Sequence, residues 1–192
     1  ADTAACDVQF GVAHRPTHPS SPWDAAKFEV CAHRYVSLAE PSFGVAVLND
    51  GRYGHAIFDG AIRVSLARAA KYPDPDADQG HHQVRLVVRP HDGDLGDVRA
   101  AAELLNRPLE VTVDAGPGAG VEPVVTIAQP DGRPALGVEV DAIKLADDDS
   151  GDLVVRLHEA VGDRTRIVLS ARPSRRSGPR NVCGAAGRAA RP

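Results

Sequence analysis

No methionine occurs among the 192 residues, lysine appears three times against nineteen arginines, and only eight residues are aromatic. Without a methionine the chain has no start residue of its own, and the expectation is a piece of a longer protein. All eight aromatics lie between Phe10 and Tyr72, so the second half must build its core from Val, Leu, Ile and Ala. No apolar run reaches the roughly 18 residues of a membrane helix, and Ala1 to Phe10 lacks the basic and apolar regions of an export signal. No membrane partner is expected, and the default location is cytoplasmic. Cys6, Cys31 and Cys183 are odd in number and show no C-x-x-C spacing, which argues against a zinc ribbon or a disulfide framework. The net charge of −4 conceals an asymmetry: 172–192 carries six arginines and no acid, which leaves −10 on residues 1–171. A body that acidic is not a nucleic-acid binder of the basic kind.

What is present is mostly strand signal. A chain of this length buries about 70% of its unfolded surface, enough for one domain or two small ones. Short apolar runs separated by turn residues predict strands over Asp7–Val12, Lys27–Tyr35, Gly44–Leu48, Ile62–Ala67 and Gln83–Arg89. Phe28, Val30 and Ala32 alternate against Lys27, Glu29 and His33, the period of a strand. Asn49-Asp50-Gly51 predicts a hairpin turn, because Asn, Asp and Gly tolerate positive φ. Prolines 16, 19 and 22 exclude a helix from the loop they stiffen. One helix is predicted over Leu95–Asn106, with Val98, Ala102 and Leu105 on one stripe, Asp94 or Asp97 at its start and Pro108 beyond its end.

The Gly-rich link Gly116–Gly120 marks a boundary. The expected organisation is an all-β chain: a large antiparallel β-sandwich region over 1–115, a small β-sandwich or meander over 121–171, and a tail over 172–192. The meander would run through strands at Val121–Ala128, Gly137–Leu145, Asp152–Glu159 and Arg164–Ser170. The tail, rich in Arg, Pro, Gly and Ala, reads as disordered or as an out-of-frame product.

Spacing alone supplies no catalytic centre. His14 and His18 have the separation of a helical metal pair, but Pro16 and Pro19 forbid that helix. His81 and His82 are adjacent and point to opposite faces of a strand. Asp74, Asp76 and Asp78 resemble a calcium loop, yet its glycine comes one place late at Gly80, and Arg85 stands where the closing Glu belongs. Gly116–Gly120 opens no helix and has no G-x-G-x-x-G, so it cradles no phosphate.

Ordered motifs carry more. Val8-Gln9-Phe10-Gly11, Arg15-Pro16-Thr17-His18, Trp23-Asp24, Lys27-Phe28-Glu29-Val30 and Ala32-His33-Arg34 follow one another. Leu48-Asn49-Asp50 with Tyr53-Gly54-His55 comes next, then Pro73 to Pro75, Asp78, Gly80, His82, Pro90-His91 and the run Val138 to Glu159. This series resembles the C-terminal β portion of the α-mannosidases of glycoside hydrolase family 38, in the cytosolic or vacuolar type of branch also found in actinobacteria. Ser20, Ser21 and Pro22 replace the family's usual N-T-S, Arg52 its Lys, Tyr35 its Trp and Ala56 a common Asp.

The resemblance implies a galactose-mutarotase-like sandwich and membership of a retaining, zinc-dependent enzyme that hydrolyses terminal α-mannosides of oligosaccharides. Its nucleophile, acid/base carboxylate and zinc ligands would lie in a catalytic domain of the same polypeptide, and no position here matches their motifs. The fragment alone is expected to be inactive, supporting the catalytic domain and walling the mannose pocket. Arg68 is the first candidate to approach that pocket, Asn49, Asp50 and Tyr53 are pocket or interface candidates, and Trp23 is a candidate to stack on a sugar. Two other readings stay open: a stand-alone carbohydrate-binding β-sandwich, and a structural domain for interdomain or homo-oligomer contacts.

Overall fold

The computed structural model describes residues 1–109 and 123–171. Its elements are mostly antiparallel strands with two helices, as the alternating pattern predicts. The described residues divide into two units. The first comprises 1–109 and 135–165, the second 123–134 and 166–171.

In the first unit, β1 (Thr3–Val8), β2 (Gly11–Pro16), β4 (Tyr35–Glu40), β5 (Phe43–Asn49) and β8 (Leu86–His91) form a five-stranded sheet, with β3 (Val30–Cys31), β6 (Gly54–Phe58) and β7 (Ala61–Val64) in a separate sheet. The strand orders are β2-β1-β4-β5-β8 and β3-β6-β7. Because side chains alternate along a strand, each sheet face has its own core. Ala4, Cys6 and Val36 of the large sheet pack with Ala32 and Ile57, backed by Val30, Leu38 and Ile62, and this cluster joins the two sheets as a partial sandwich. The opposite face of the large sheet presents Tyr35, Ala46 and Leu48 to Val98 and Ala102. Those two belong to α2 (Leu95–Asn106), whose bounds match the prediction and whose N-cap is Asp94, accepting from the Gly96 N–H at 2.7 Å. Each fully buried Val or Leu in these clusters contributes about 1.5–3 kcal/mol.

Several expected elements are redrawn. The run predicted as one strand over Lys27–Tyr35 is a crossover: the chain leaves the small sheet after Cys31 and joins the large sheet at Tyr35. Backbone bonds from Ala32 N to Tyr53 O (3.0 Å) and from His33 N to Asp7 O (2.8 Å) fix the change of sheet. Asn49-Asp50-Gly51 does turn the chain, with Gly51 at φ 124, but it closes no hairpin, because β5 and β6 lie in different sheets. The two-residue hairpin instead lies at Asp59-Gly60 (φ 53 and 68), which joins β6 to β7 with Phe58 opposite Ala61. Two positive φ values in a two-residue loop are what the right-handed twist of a hairpin demands, and Asp-Gly supplies them. Asp7–Val12 is likewise not one strand but the end of β1, the turn at Gln9-Phe10 and the start of β2. The proline loop does yield one helical turn, α1 (Pro22–Ala26), because Pro22 stands at the first position behind an N-capping Ser21, where its missing N–H costs nothing.

The segments expected to form one small meander separate. β9 (Val125–Ala128) pairs with β12 (Val168–Ala171) in the second unit. β10 (Val138–Leu145) and β11 (Leu153–Glu159) form a ribbon that belongs to the first unit. The Gly-rich link and the 172–192 tail lie outside the described residues.

Candidate functional site

Two crossovers between the sheets run side by side, and Asn49 holds them together. Its Oδ1 accepts from Gly51 N (3.0 Å) and Arg52 N (2.7 Å), and its Nδ2 donates to His33 O (2.9 Å). Its backbone N–H donates to Arg34 O (3.0 Å), and its carbonyl accepts from Asn106 Nδ2 (2.9 Å) at the end of α2. The side chain is fully buried and all its bonds are internal. Tyr53, half-exposed, packs on His33 with ring centroids 5.1 Å apart.

Beside this junction lies a cavity of about 320 Å³ whose lining includes Asp7, Phe10, Arg34, Tyr53, Asp141 and His158. Arg34 dominates it. The guanidinium grips Asp7 with Nε and Nη2 (both 3.0 Å), Glu139 with Nη1 and Nη2 (3.0 and 3.1 Å), and Glu103 with Nη1 (2.7 Å). One side chain thereby ties β1, α2 and β10 to the first crossover, through the fork geometry that suits Arg to paired carboxylates. Burial works against charge on Glu139, yet Arg34, with Arg99 and His158 nearby, holds its carboxyl below the usual glutamate range. A glutamate held charged in this way is not free to act as an acid. His158 stands edge-on to Phe10 at 5.3 Å between centroids, with Nδ1 3.0 Å from Asp141 Oδ1 but off the hydrogen-bonding direction.

Two other histidines are placed by backbone. Gly93 N donates to His91 Nδ1 (3.1 Å), so in the neutral ring Nε2 carries the proton and donates to Ser37 Oγ (2.9 Å). His55 is fully buried with Nδ1 against Tyr53 O (3.1 Å) and Nε2 without a partner, and burial lowers its pKa.

The structure brings only some of the expected residues together. Asn49 and Tyr53 belong to the junction, one buried within it and one on the cavity rim. Asp50 is taken by Arg85, whose Nε lies at 2.7 Å and whose backbone N–H lies at 3.3 Å; these bonds hold its carboxyl below the usual range. Arg68 is open to solvent, with Glu29 its loose partner at 3.9 Å. Trp23, on α1, is 78% exposed and takes no part in the core. Arg34, Asp7 and Glu139 were the residues that sequence reasoning missed. Arg34 and Glu139 stand inside the motifs, but nothing in linear spacing links positions 105 residues apart. Among the described residues no group of three or more His, Cys, Asp or Glu is placed to hold a metal ion, and no helix is long and apolar enough to cross a membrane.

The described architecture is that of an antiparallel β domain whose polar cavity is organised by a structural arginine. Residues 1–76 match the family described as Glycosyl hydrolases family 38 C-terminal domain. The chain is 33% identical over 183 residues to the alpha-mannosidase of Saccharomyces cerevisiae, covering 88% of this chain and 16% of that protein. It is 37% identical over 164 residues to alpha-mannosidase 2C1 of Homo sapiens, covering 83% of this chain and 15% of that one. The crystal structure of an alpha-mannosidase from Enterococcus faecalis V583 superposes with a TM-score of 0.70 at 19% identity, over 89% of this chain and 20% of that one, a likeness of fold. The chain belongs to glycoside hydrolase family 38, in its C-terminal β portion. It spans about a sixth of the length of the curated relatives it matches.

Proposed function

We propose that this chain is the C-terminal β portion of a retaining α-mannosidase that releases terminal α-mannose from oligosaccharides in the cytoplasm. The carrying observation is similarity to α-mannosidases that runs through 83–88% of the chain on a matching fold. Retention needs two carboxylates about 5–5.5 Å apart, one as nucleophile and one as acid/base. In this reading both, and the zinc ion of the complete enzyme, belong to the catalytic portion outside this chain, since the described residues include no cluster of His, Cys, Asp or Glu placed to hold a metal. The β portion supports that catalytic portion and lends its loops to the mannose pocket. Arg68 suits oriented contact with sugar oxygens, since its guanidinium is exposed and only loosely paired. Tyr53 and Trp23 offer exposed rings, while Asn49 and Asp50 shape the loop that carries Tyr53. As domains, 1–115 and 121–171 remain a proposal about folding units in the complete enzyme.

Phe10 and Tyr53, 71% and 55% exposed and both in the lining of a polar cavity, favour a second reading, a sugar-binding module without catalysis. One pair of measurements decides. The isolated chain is expected neither to cleave an aryl α-mannoside nor to bind mannose oligosaccharides by calorimetric titration, while the complete polypeptide cleaves with retention and loses activity to a chelator. Micromolar sugar binding by the isolated chain would favour the module instead.

A further inference from the structure

The open side of the sandwich combines features that a free surface does not explain. Among the described residues, β2 is an unpaired edge of the large sheet. Arg15 on β2 pairs with Ala4 and so shares the face of Ala4 and Cys6, pointing a cation at the mouth of the apolar core. Below it lies a hollow of about 380 Å³ lined by Arg15, His18, Lys27, Phe28, Ile57 and Phe58 among others.

Charge and burial there are uncompensated. Neither Arg15 nor Lys27 forms an ion pair among the described residues, and Arg15 Nε is buried without a hydrogen-bond partner. Buried polar groups are nearly always satisfied, so this one points to a missing partner. The one acid in the lining, Asp24, is already bonded by the Ser21 hydroxyl at 2.7 Å. α1, above the hollow, buries none of its side chains, and Trp23 and Phe28 are 78% and 70% exposed. The patch is therefore basic and aromatic in a body that carries −10 over residues 1–171.

We infer that this edge receives an acidic segment with an apolar side chain, contributed by the rest of the family 38 polypeptide and laid along β2 as an added strand. The inference rests on the reading of this chain as part of a larger α-mannosidase, of which it spans about a sixth of the length of its relatives. Strand addition satisfies an exposed sheet edge through main-chain bonds, while a pocket beside the edge takes a side chain. A carboxylate answers Arg15 and Lys27, and an apolar tip fills the floor made by Phe28, Ile57 and Phe58. A second copy of this chain fits less well, since a two-fold contact through this face sets cations against the same cations.

Lysine is scarce enough to make the test specific, because Lys27 is one of three. Zero-length carbodiimide coupling of the intact polypeptide, read by mass spectrometry, is expected to join Lys27 to an Asp or Glu outside this chain, with Lys71 as the control. Arg15→Glu with Lys27→Glu is expected to speed proteolytic separation of the two portions at least tenfold. A Lys27 coupled only within this chain, or to a second copy in an isotope-mixed sample, would overturn the inference, even if the double variant fails to fold. Aryl α-mannoside hydrolysis is assayed on the same sample. Coupling without activity sinks the enzymatic reading alone, and activity without coupling sinks this one alone.

Discussion

Arg34 shows how much of this domain hangs on one side chain. Its partners Asp7 and Glu139 are 2% and 14% exposed, so removing the guanidinium leaves two carboxylates with little water to replace it. Arg34→Met is expected to cost about 3 kcal/mol, the lower range for a broken buried pair, read as a lower urea midpoint. The pH dependence follows from Glu139. Its folded pKa lies below the ordinary 4.5, so its contribution is complete above 4.5 and is lost as pH falls through the depressed value. The wild-type chain should lose stability in that acid range, and Arg34→Met should show a shallower acid slope. An unchanged slope would mean that Glu139 is not held by Arg34. Cys6 carries a second expectation. Burial pushes its thiol from 9.0 up to about 11, so in a Cys31→Ser, Cys183→Ser variant it should resist a thiol reagent at pH 8 until denaturant is added.

Among the elements, β5 depends on the lack of a side chain at Gly44. A Cβ on Gly44 would collide with the His91 imidazole and lie 2.9 Å from Ala39 Cβ. Gly44→Ala therefore has to displace the ring that bonds Ser37, and should cost about 1–3 kcal/mol by overpacking, measured by chemical denaturation. Stability equal to wild type would show that the ring moves freely. α2 was readable to the residue, because its cap and its apolar stripe are both local. The crossovers were not, because Phe28-Glu29-Val30 alternates like a strand whether or not the strand continues. Only the bonds from Ala32 and His33 to distant Tyr53 and Asp7 decide that it stops. Asn49-Asp50-Gly51 and Asp59-Gly60 carry similar turn chemistry, yet one changes sheets and the other closes a hairpin.

For the molecule as a whole, the ribbon β10–β11 is the piece whose membership matters. Arg99, 7% exposed, donates from Nε to Leu136 O at 2.8 Å and lies 3.4 Å from Glu139, and Arg34 holds the same glutamate. A chain ended at 115 loses these partners and leaves both guanidiniums partly buried without them. It is expected to melt at lower temperature than 1–171 by circular dichroism, and equal melting would show that the ribbon adds nothing. Composition and order of motifs were enough to determine the strand-rich class, the helix α2 and the family, because alternation, capping and short motifs are written in neighbouring residues. Only the tertiary structure decided which strands share a sheet, that Asn49 serves as a brace, and that Arg34 gathers three carboxylates. Those are outcomes of distance in space, between residues up to 105 positions apart, and no local pattern encodes them.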